Sequence, residues 1–132
     1  MQHLGITGTR YGTNSKQHDR LILAMYKFYE PGITLHHGDC KGVDSEAHEI
    51  AKRLGYKIEI HPPTNPSWRA FNRGDILHIP RGYKERDRII VEMSEHLLVV
   101  PLKEEIEQPN TGTWKTYRMA KKSIVPYTIL GR

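Results

Sequence analysis

His3-Leu4-Gly5-Ile6-Thr7-Gly8-Thr9-Arg10 opens the chain with a short apolar run that halts at a glycine. It reads as a strand, His3 to Thr7, turned at Gly8 and followed by a helix capped at Asn14 or Ser15. Leu21, Ile22, Met25, Phe28 and Tyr29 then recur at helical spacing until Glu30-Pro31-Gly32 stops the helix. The same grammar repeats. A strand from Thr34 to His37 enters His37-Gly38-Asp39-Cys40-Lys41-Gly42-Val43-Asp44. Asp44 is placed to cap a helix whose stripe is Ala47, Ile50, Ala51 and Leu54, closed by Gly55.

Working outward, Tyr56 to His61 is a third strand, ended by Pro62-Pro63. Thr64 to Tyr83 has weak periodicity but holds Trp68, Arg69, Phe71, Arg73 and Arg81, so it reads as a binding loop or lid. Glu85 to Met93 is helical, with Ile89, Ile90 and Met93 facing inward. Leu97 to Pro101 is a fully apolar strand of the kind covered on both faces. A helix from Thr113 to Lys122 and a strand from Val125 to Leu130 complete the chain. This alternation predicts one α/β domain, a Rossmann-like parallel sheet of about five strands with helices on both faces. Ligands of such sheets lie beyond the carboxyl ends of the strands, where strand order reverses. The segments Gly5 to Arg10, His37 to Asp44 and Thr111 to Thr116 would meet there as one pocket for phosphate and sugar.

Composition narrows the class. The chain has 132 residues, 37% hydrophobic and 27% charged, with mean hydropathy −0.63, as in an ordinary globular protein. No apolar run approaches the roughly 20 residues of a membrane span, no signal peptide is evident, and no internal repeat occurs. A single cysteine, Cys40, excludes an internal disulfide and fits a cytoplasmic location. The net charge of +5 and pI near 9.4 favour anionic ligands or nucleic acid, with a mildly basic globule as the bland alternative.

The glycine segments match neither the dinucleotide fingerprint nor the P-loop. Gly8 would let backbone approach a ligand, Thr9 would donate a hydroxyl, and Arg10 would offer a fork to phosphate; a tight turn with Arg10 in a salt bridge is the competing reading. Gly38, Asp39 and Gly42 shape the second loop, ahead of a helix whose free N–H groups suit an anion. Asp44 reads as a cap, or as a partner for Arg10 or a ribose hydroxyl. Gly112, Thr113 and Thr116 could hold phosphate after a loop containing Pro109 and Asn110, while Trp114 could stack on a base or simply pack. Arg86 could reach the same crevice. Trp68 and Tyr83 are further aromatics able to cover a base. His36, His37, Asp39 and Cys40 are not expected to bind metal, because adjacent strand residues point to opposite faces. No cofactor is expected.

Taken together and in this order, these segments resemble the SLOG superfamily, which joins DNA-processing protein A with the Lonely Guy nucleotide phosphoribohydrolases. Gly8-Thr9-Arg10, Gly38 to Asp44, Arg86-Asp87-Arg88-Ile89-Ile90-Val91 and Gly112-Thr113-Trp114-Lys115-Thr116 carry the resemblance. Phe71-Asn72-Arg73-Gly74-Asp75 also looks like an insert of small stand-alone members found in phages and bacteria. The resemblance implies a binding protein that senses or sequesters a nucleotide or nucleotide-derived signal, such as an ADP-ribose-like or cyclic species, in phage–host conflict. It also implies a homo-oligomer. The hydrolases carry a catalytic Glu where this chain has Thr116, which argues against cleavage by that route. An N-glycosidic hydrolase using Asp44, Glu85, Asp87 or Glu92 is the enzymatic alternative. Single-stranded nucleic-acid binding is the third.

Overall fold

The computed structural model describes residues 1–102 and 111–132. Its elements are β1 (His3–Gly8), α1 (Ser15–Phe28), β2 (Thr34–His37), α2 (Val43–Leu54), β3 (Lys57–Ile60), β4 (Ile76–Leu77), α3 (Tyr83–Met93), β5 (His96–Val100), α4 (Gly112–Lys122) and β6 (Tyr127–Ile129). The strands form one all-parallel sheet in the order β4-β3-β2-β1-β5-β6. Chain direction across the sheet reverses between β1 and β5, so the carboxyl ends of those strands flank the crevice.

Alternation along each strand divides the core in two. Leu4, Ile6, Leu35, Ile58, Ile60, Leu98 and Val100 pack against Leu21 and Met25 of α1 and Val43, Ala47, Ile50 and Ala51 of α2. Leu97 and Val99 face the other way, against Ile90 and Val91 of α3 and Trp114, Tyr117 and Ala120 of α4. Helices therefore cover both faces, as a parallel sheet requires.

The structure departs from the sequence expectations where periodicity was thin. A sixth strand, β4, adds to the five expected: it has only two residues, both exposed, inside the aperiodic segment. Main-chain bonds from Asp75 N to Ile58 O (2.9 Å) and His78 N to Ile60 O (2.9 Å) hold it, and the Asp75 carboxylate accepts from Ile58 N at 2.8 Å. Ile22 is exposed rather than inward, because the buried stripe of α1 runs through Gln17, Leu21 and Met25. In α3 the buried positions are Arg86, Ile90 and Val91, with Ile89 and Met93 half-buried. Asn14 caps α1 by accepting from Gln17 N. Asp44 does not cap α2; Gly42 stands there at φ +88°, and Asp44 lies inside the first turn.

His36 and His37 point to opposite faces, as adjacent strand residues must. His37 meets His48 of α2, Nε2 to Nδ1 at 2.9 Å. His36 meets His3 and His61. Burial, the main cause, lowers the pKa of His36 to about 4, of His61 to about 3 and of His37 well below the usual imidazole range. These imidazoles are neutral inside the fold.

Candidate functional site

The site is built where two glycine loops cross beyond the ends of β1 and β2. A Cβ at Gly42 would stand 2.4 Å from the Arg10 carbonyl carbon and 2.5 Å from Thr9 O. Val43 N donates to Thr9 O at 3.0 Å, which locks the crossing. A Cβ at Gly8 would meet Val43 Cγ1 at 2.4 Å, and one at Gly38 would meet Arg86 Nη1 at 2.2 Å. These glycines are required for close approach of protein to protein. Gly112 differs, since nothing lies within 4 Å of a Cβ placed there.

Arg86 is an internal strut. Its Nε donates to Asp87 Oδ1 at 2.6 Å, its Nη1 to Gly38 O (2.6 Å) and His61 O (3.2 Å), and its Nη2 faces Cys40 Sγ at 3.9 Å. Burial opposes its charge, but Asp87, Cys40 and Asp44 outweigh that and raise its pKa. Most of its donors are thus held inside the protein, although Arg86 also lines the crevice where sequence reading expected it to meet a ligand. Asp44 accepts from Gly38 N (3.2 Å) and Cys40 N (3.1 Å), shaping the loop. Burial raises its pKa to about 6, against the opposing pull of Arg86 and the two backbone donors. Burial and Asp44 raise the Cys40 thiol to about 11, so it stays protonated at neutral pH.

Asp39 is fully buried in left-handed backbone, φ +58°. Its carboxylate accepts from Arg69 Nε (3.0 Å) and Asn72 N (3.0 Å), and its carbonyl from Ala70 N (2.7 Å). It is thus the anchor for the aperiodic segment, and it is not among the residues lining the cavity described below. Lys41 N to Trp68 O (2.8 Å) completes the attachment. The segment is in this way fixed over the second loop, and it brings Trp68 to the crevice.

There the Arg10 guanidinium lies 4.2 Å from the Trp68 ring centroid and 5.4 Å from that of Tyr11. Arg10 is exposed and pairs with no carboxylate among the described residues. Thr9 is buried, and its hydroxyl accepts from Tyr11 N at 3.2 Å.

The third segment opens α4. Thr111 caps it by accepting from Trp114 N. Thr116 is buried in the helix, donating to Gly112 O at 2.9 Å; burial raises the pKa of neighbouring Asp87 against the opposing pull of Arg86. Trp114 is buried edge-on against Tyr117, ring centroids 5.2 Å apart, so it packs rather than stacks in the open. Pro109 and Asn110 lie outside the described residues.

A cavity of about 960 Å³ occupies the crevice. Gly8, Thr9, Arg10, Gly38, Asp44, Arg86, Gly112, Thr113 and Trp114 line it; Asp39, Gly42 and Thr116 do not. Tyr11, Lys84, Lys115 and Arg118 also line it. Sequence reading did not single these four out, although Lys84 and Lys115 sit in the first turns of α3 and α4, where N–H groups lack helical partners. Asp44 and Asp87 are its only acidic walls among the described residues, against the basic Arg10, Lys84, Arg86, Lys115 and Arg118. Two helix N-termini and this excess of cations give the cavity a positive field. Of the carboxylates considered for catalysis, Glu85 is exposed and bound to Arg81 at 2.8 Å, Glu92 is exposed, and Asp87 is held by Arg86.

No protein-family model matches the chain, and neither does any curated protein. Solved structures do. A molybdenum cofactor binding protein from Rippkaea orientalis superposes with TM-score 0.73 at 19% identity, over 97% of this chain and 75% of that one. The molybdenum cofactor carrier protein of Chlamydomonas reinhardtii gives TM-score 0.67 at 21% identity over 97% and 75%. DNA processing protein A of Helicobacter pylori, described by its single-stranded DNA binding mode, gives 0.68 at 17% over 97% and 64%. What the chain shares with these neighbours is the fold, a parallel α/β sheet with helices on both faces.

Proposed function

We propose, with the SLOG-type fold as premise, that the chain binds a nucleotide or nucleotide-derived anion in this cavity and holds it without cleaving it. The observation that carries the reading is the position of Arg10: an exposed guanidinium laid on Trp68, with no carboxylate partner among the described residues, at the mouth of a cavity lined by basic side chains. A guanidinium so placed keeps its fork for phosphate while its face is shielded by the ring. The first turns of α3 and α4 add N–H groups aimed at anions. Support also comes from the neighbours, whose names give a molybdenum cofactor or single-stranded DNA as what they bind.

Retention without cleavage rests on the carboxylates. A general base must reach water or substrate in its ionised form. Asp44 is buried and bound by two backbone N–H groups, Asp87 is paired with Arg86, and Thr116 has no carboxylate to offer. Within this reading, an ADP-ribose-like or cyclic nucleotide signal is the ligand proposed, and a pocket formed in a homo-oligomer is compatible with it.

The test is thermal denaturation of the purified chain against AMP, ADP-ribose, cyclic dinucleotides and molybdenum cofactor, with native mass spectrometry of whatever the protein retains. A rise in Tm that is abolished by Arg10→Ala supports the reading. No rise with any of them, and no retained molecule, would overturn it. Single-stranded DNA belongs in the same panel because the Arg10–Trp68 stack could also hold a base and a phosphate. Binding that weakens steeply with salt would favour that second reading.

A further inference from the structure

On the α3/α4 face of the sheet, away from the cavity, four histidines and a glutamate form a continuous network. His3 Nδ1 lies 2.9 Å from His36 Nε2, and His36 Nε2 lies 3.2 Å from Glu59 Oε2. His36 Nδ1 is 3.0 Å from His61 Nε2. His78 Nε2 is 3.2 Å from Glu59 Oε1 and its ring stacks on His61 at 4.2 Å. None of the five lines the cavity.

We propose that His3, His36 and Glu59 form a binding site for a divalent transition metal of the zinc type. His3 Nδ1, His36 Nε2 and a Glu59 oxygen all lie within 4.8 Å of one another, and they come from three adjacent strands. Zinc held at roughly 2.0–2.2 Å by tetrahedral nitrogen and oxygen ligands separates them by roughly 3.3 Å. The measured 2.9 and 3.2 Å are close to that spacing.

Proton bookkeeping gives the independent reason. Neutral imidazole carries one N–H. If His36 holds it on Nδ1, that group donates to His61, and the bare Nε2 lone pair then faces the Glu59 carboxylate. If the proton sits on Nε2, it can serve only one of His3 and Glu59. A cation between the three acceptors removes the conflict: His36 Nε2, His3 Nδ1 and Glu59 Oε2 all offer lone pairs to it. The outer contacts then fall into place. His36 donates its remaining N–H to His61, and His78 donates to the second oxygen of Glu59, as the outer partners of metal ligands do.

Two nitrogens and one carboxylate oxygen suit Zn²⁺ and its first-row neighbours rather than Ca²⁺ or Mg²⁺. Three protein ligands leave a further position open. Glu59 is slightly exposed and His3 half-buried, so the ion has a path from solvent. The ion would clip the first strand to the second and third. The sequence expectation of no metal concerned the neighbours of His36 along the chain; the partners here come from other strands, which linear spacing cannot show.

The experiment is calorimetric titration of the chelator-stripped, full-length chain with Zn²⁺ alone, and absorption spectroscopy with Co²⁺. Binding at about 1 µM or tighter, with a raised Tm and an intense tetrahedral cobalt band, is expected. His3→Gln and Glu59→Gln remove ligands at positions accessible enough to keep the fold, and each should weaken Zn²⁺ more than His78→Asn, which should cost about 10–100-fold. His18→Gln, at a separate imidazole–carboxylate pair with Glu46, should change nothing. Absence of Zn²⁺ binding, absence of the cobalt band, or unchanged affinity in both His3→Gln and Glu59→Gln would overturn the proposal.

Discussion

Arg86→Met separates a strut from a ligand contact, and the structure gives the size of the effect. The guanidinium serves Asp87, Gly38 O and His61 O within hydrogen-bonding distance and offsets the charge of Asp44. Methionine fills similar volume but leaves two buried carboxylates without their cation and two carbonyls without a donor. Removing one member of a buried ion pair costs about 3–5 kcal/mol, against a total stability of about 5–15 kcal/mol for a small domain. With a urea dependence of about 2 kcal/mol per molar, the midpoint should fall by roughly 2 M. Far-UV circular dichroism through a urea titration reads this directly. A second variant sharpens the result. Gly38→Ala puts a Cβ 2.2 Å from Arg86 Nη1. Its cost should therefore shrink once Arg86 is methionine, a coupling expected only between contacting residues. If Arg86→Met shifts the midpoint by less than about 0.5 M while ligand affinity drops tenfold, the strut is wrong and Arg86 belongs to the ligand.

Four further outcomes follow from the same geometry. Arg10→Ala should cost about 10–100-fold in affinity, the worth of charge-assisted hydrogen bonds, with Tm unchanged because Arg10 is exposed; calorimetry and melting curves check both. Gly42→Ala should destabilise by about 2–5 kcal/mol in urea titration, since its φ of +88° and its 2.4 Å approach to Arg10 backbone leave no direction for relief. Asp44 lines the cavity with a pKa near 6, so affinity for ADP-ribose, whose phosphates do not titrate there, should rise from pH 7 to pH 5 and flatten in Asp44→Asn. The metal-free chain should lose stability in acid: His36 and His61, held to about 4 and about 3 by burial, are protonated at about 6.5 when unfolded, so their contribution is complete above that pH and is lost as pH falls towards 4. Asp44 works in the opposite sense, gaining below its pKa, so a urea midpoint that rises between pH 6.5 and 4.5 would show the imidazoles are not buried neutral.

The order of elements was legible because each strand–loop–helix unit carries its own local signals. Thr34–His37, Gly55 and Asn14 behave as their residue types dictate. What sequence could not show has a common origin. Glycine in a loop reads as room for a ligand, yet at Gly8, Gly38 and Gly42 the room is filled by Val43, Arg86 and the Arg10 backbone. The sequence shows that space is needed but not what occupies it. Asp39 in a glycine loop and Arg86 in the first turn of α3 were read as free for a ligand because their partners, thirty to fifty positions away, are not visible in the sequence. Lys84 and Lys115 were passed over because a lysine in a first helical turn has no motif to mark it. Two-residue β4 has no period at all.

The segment between β3 and α3 touches both the cavity, through Trp68, and the histidine network, through His78. The two helices on the second face pack over β1, β2 and β5, and α2 on the first face reaches across β2 and β3. Among the described residues no helix packs extensively on the second-face side of β3 and β4, yet Glu59 and His61 are buried there, covered by other side chains. Imidazoles suit that position: their faces stack, as His61 and His78 do, while their nitrogens pair with one another and with Glu59. The segment between β3 and α3 bonds to Asp39 and brings Trp68 against Arg10. Its other end is secured at β4, next to His78. A metal-free chain should thus loosen this segment first, and hydrogen exchange at Asp75 N and His78 N should slow on adding Zn²⁺ while that at Thr9 N stays unchanged. Equal slowing at all three would mean that the ion stabilises the fold globally and that the segment is not separately coupled to the histidines.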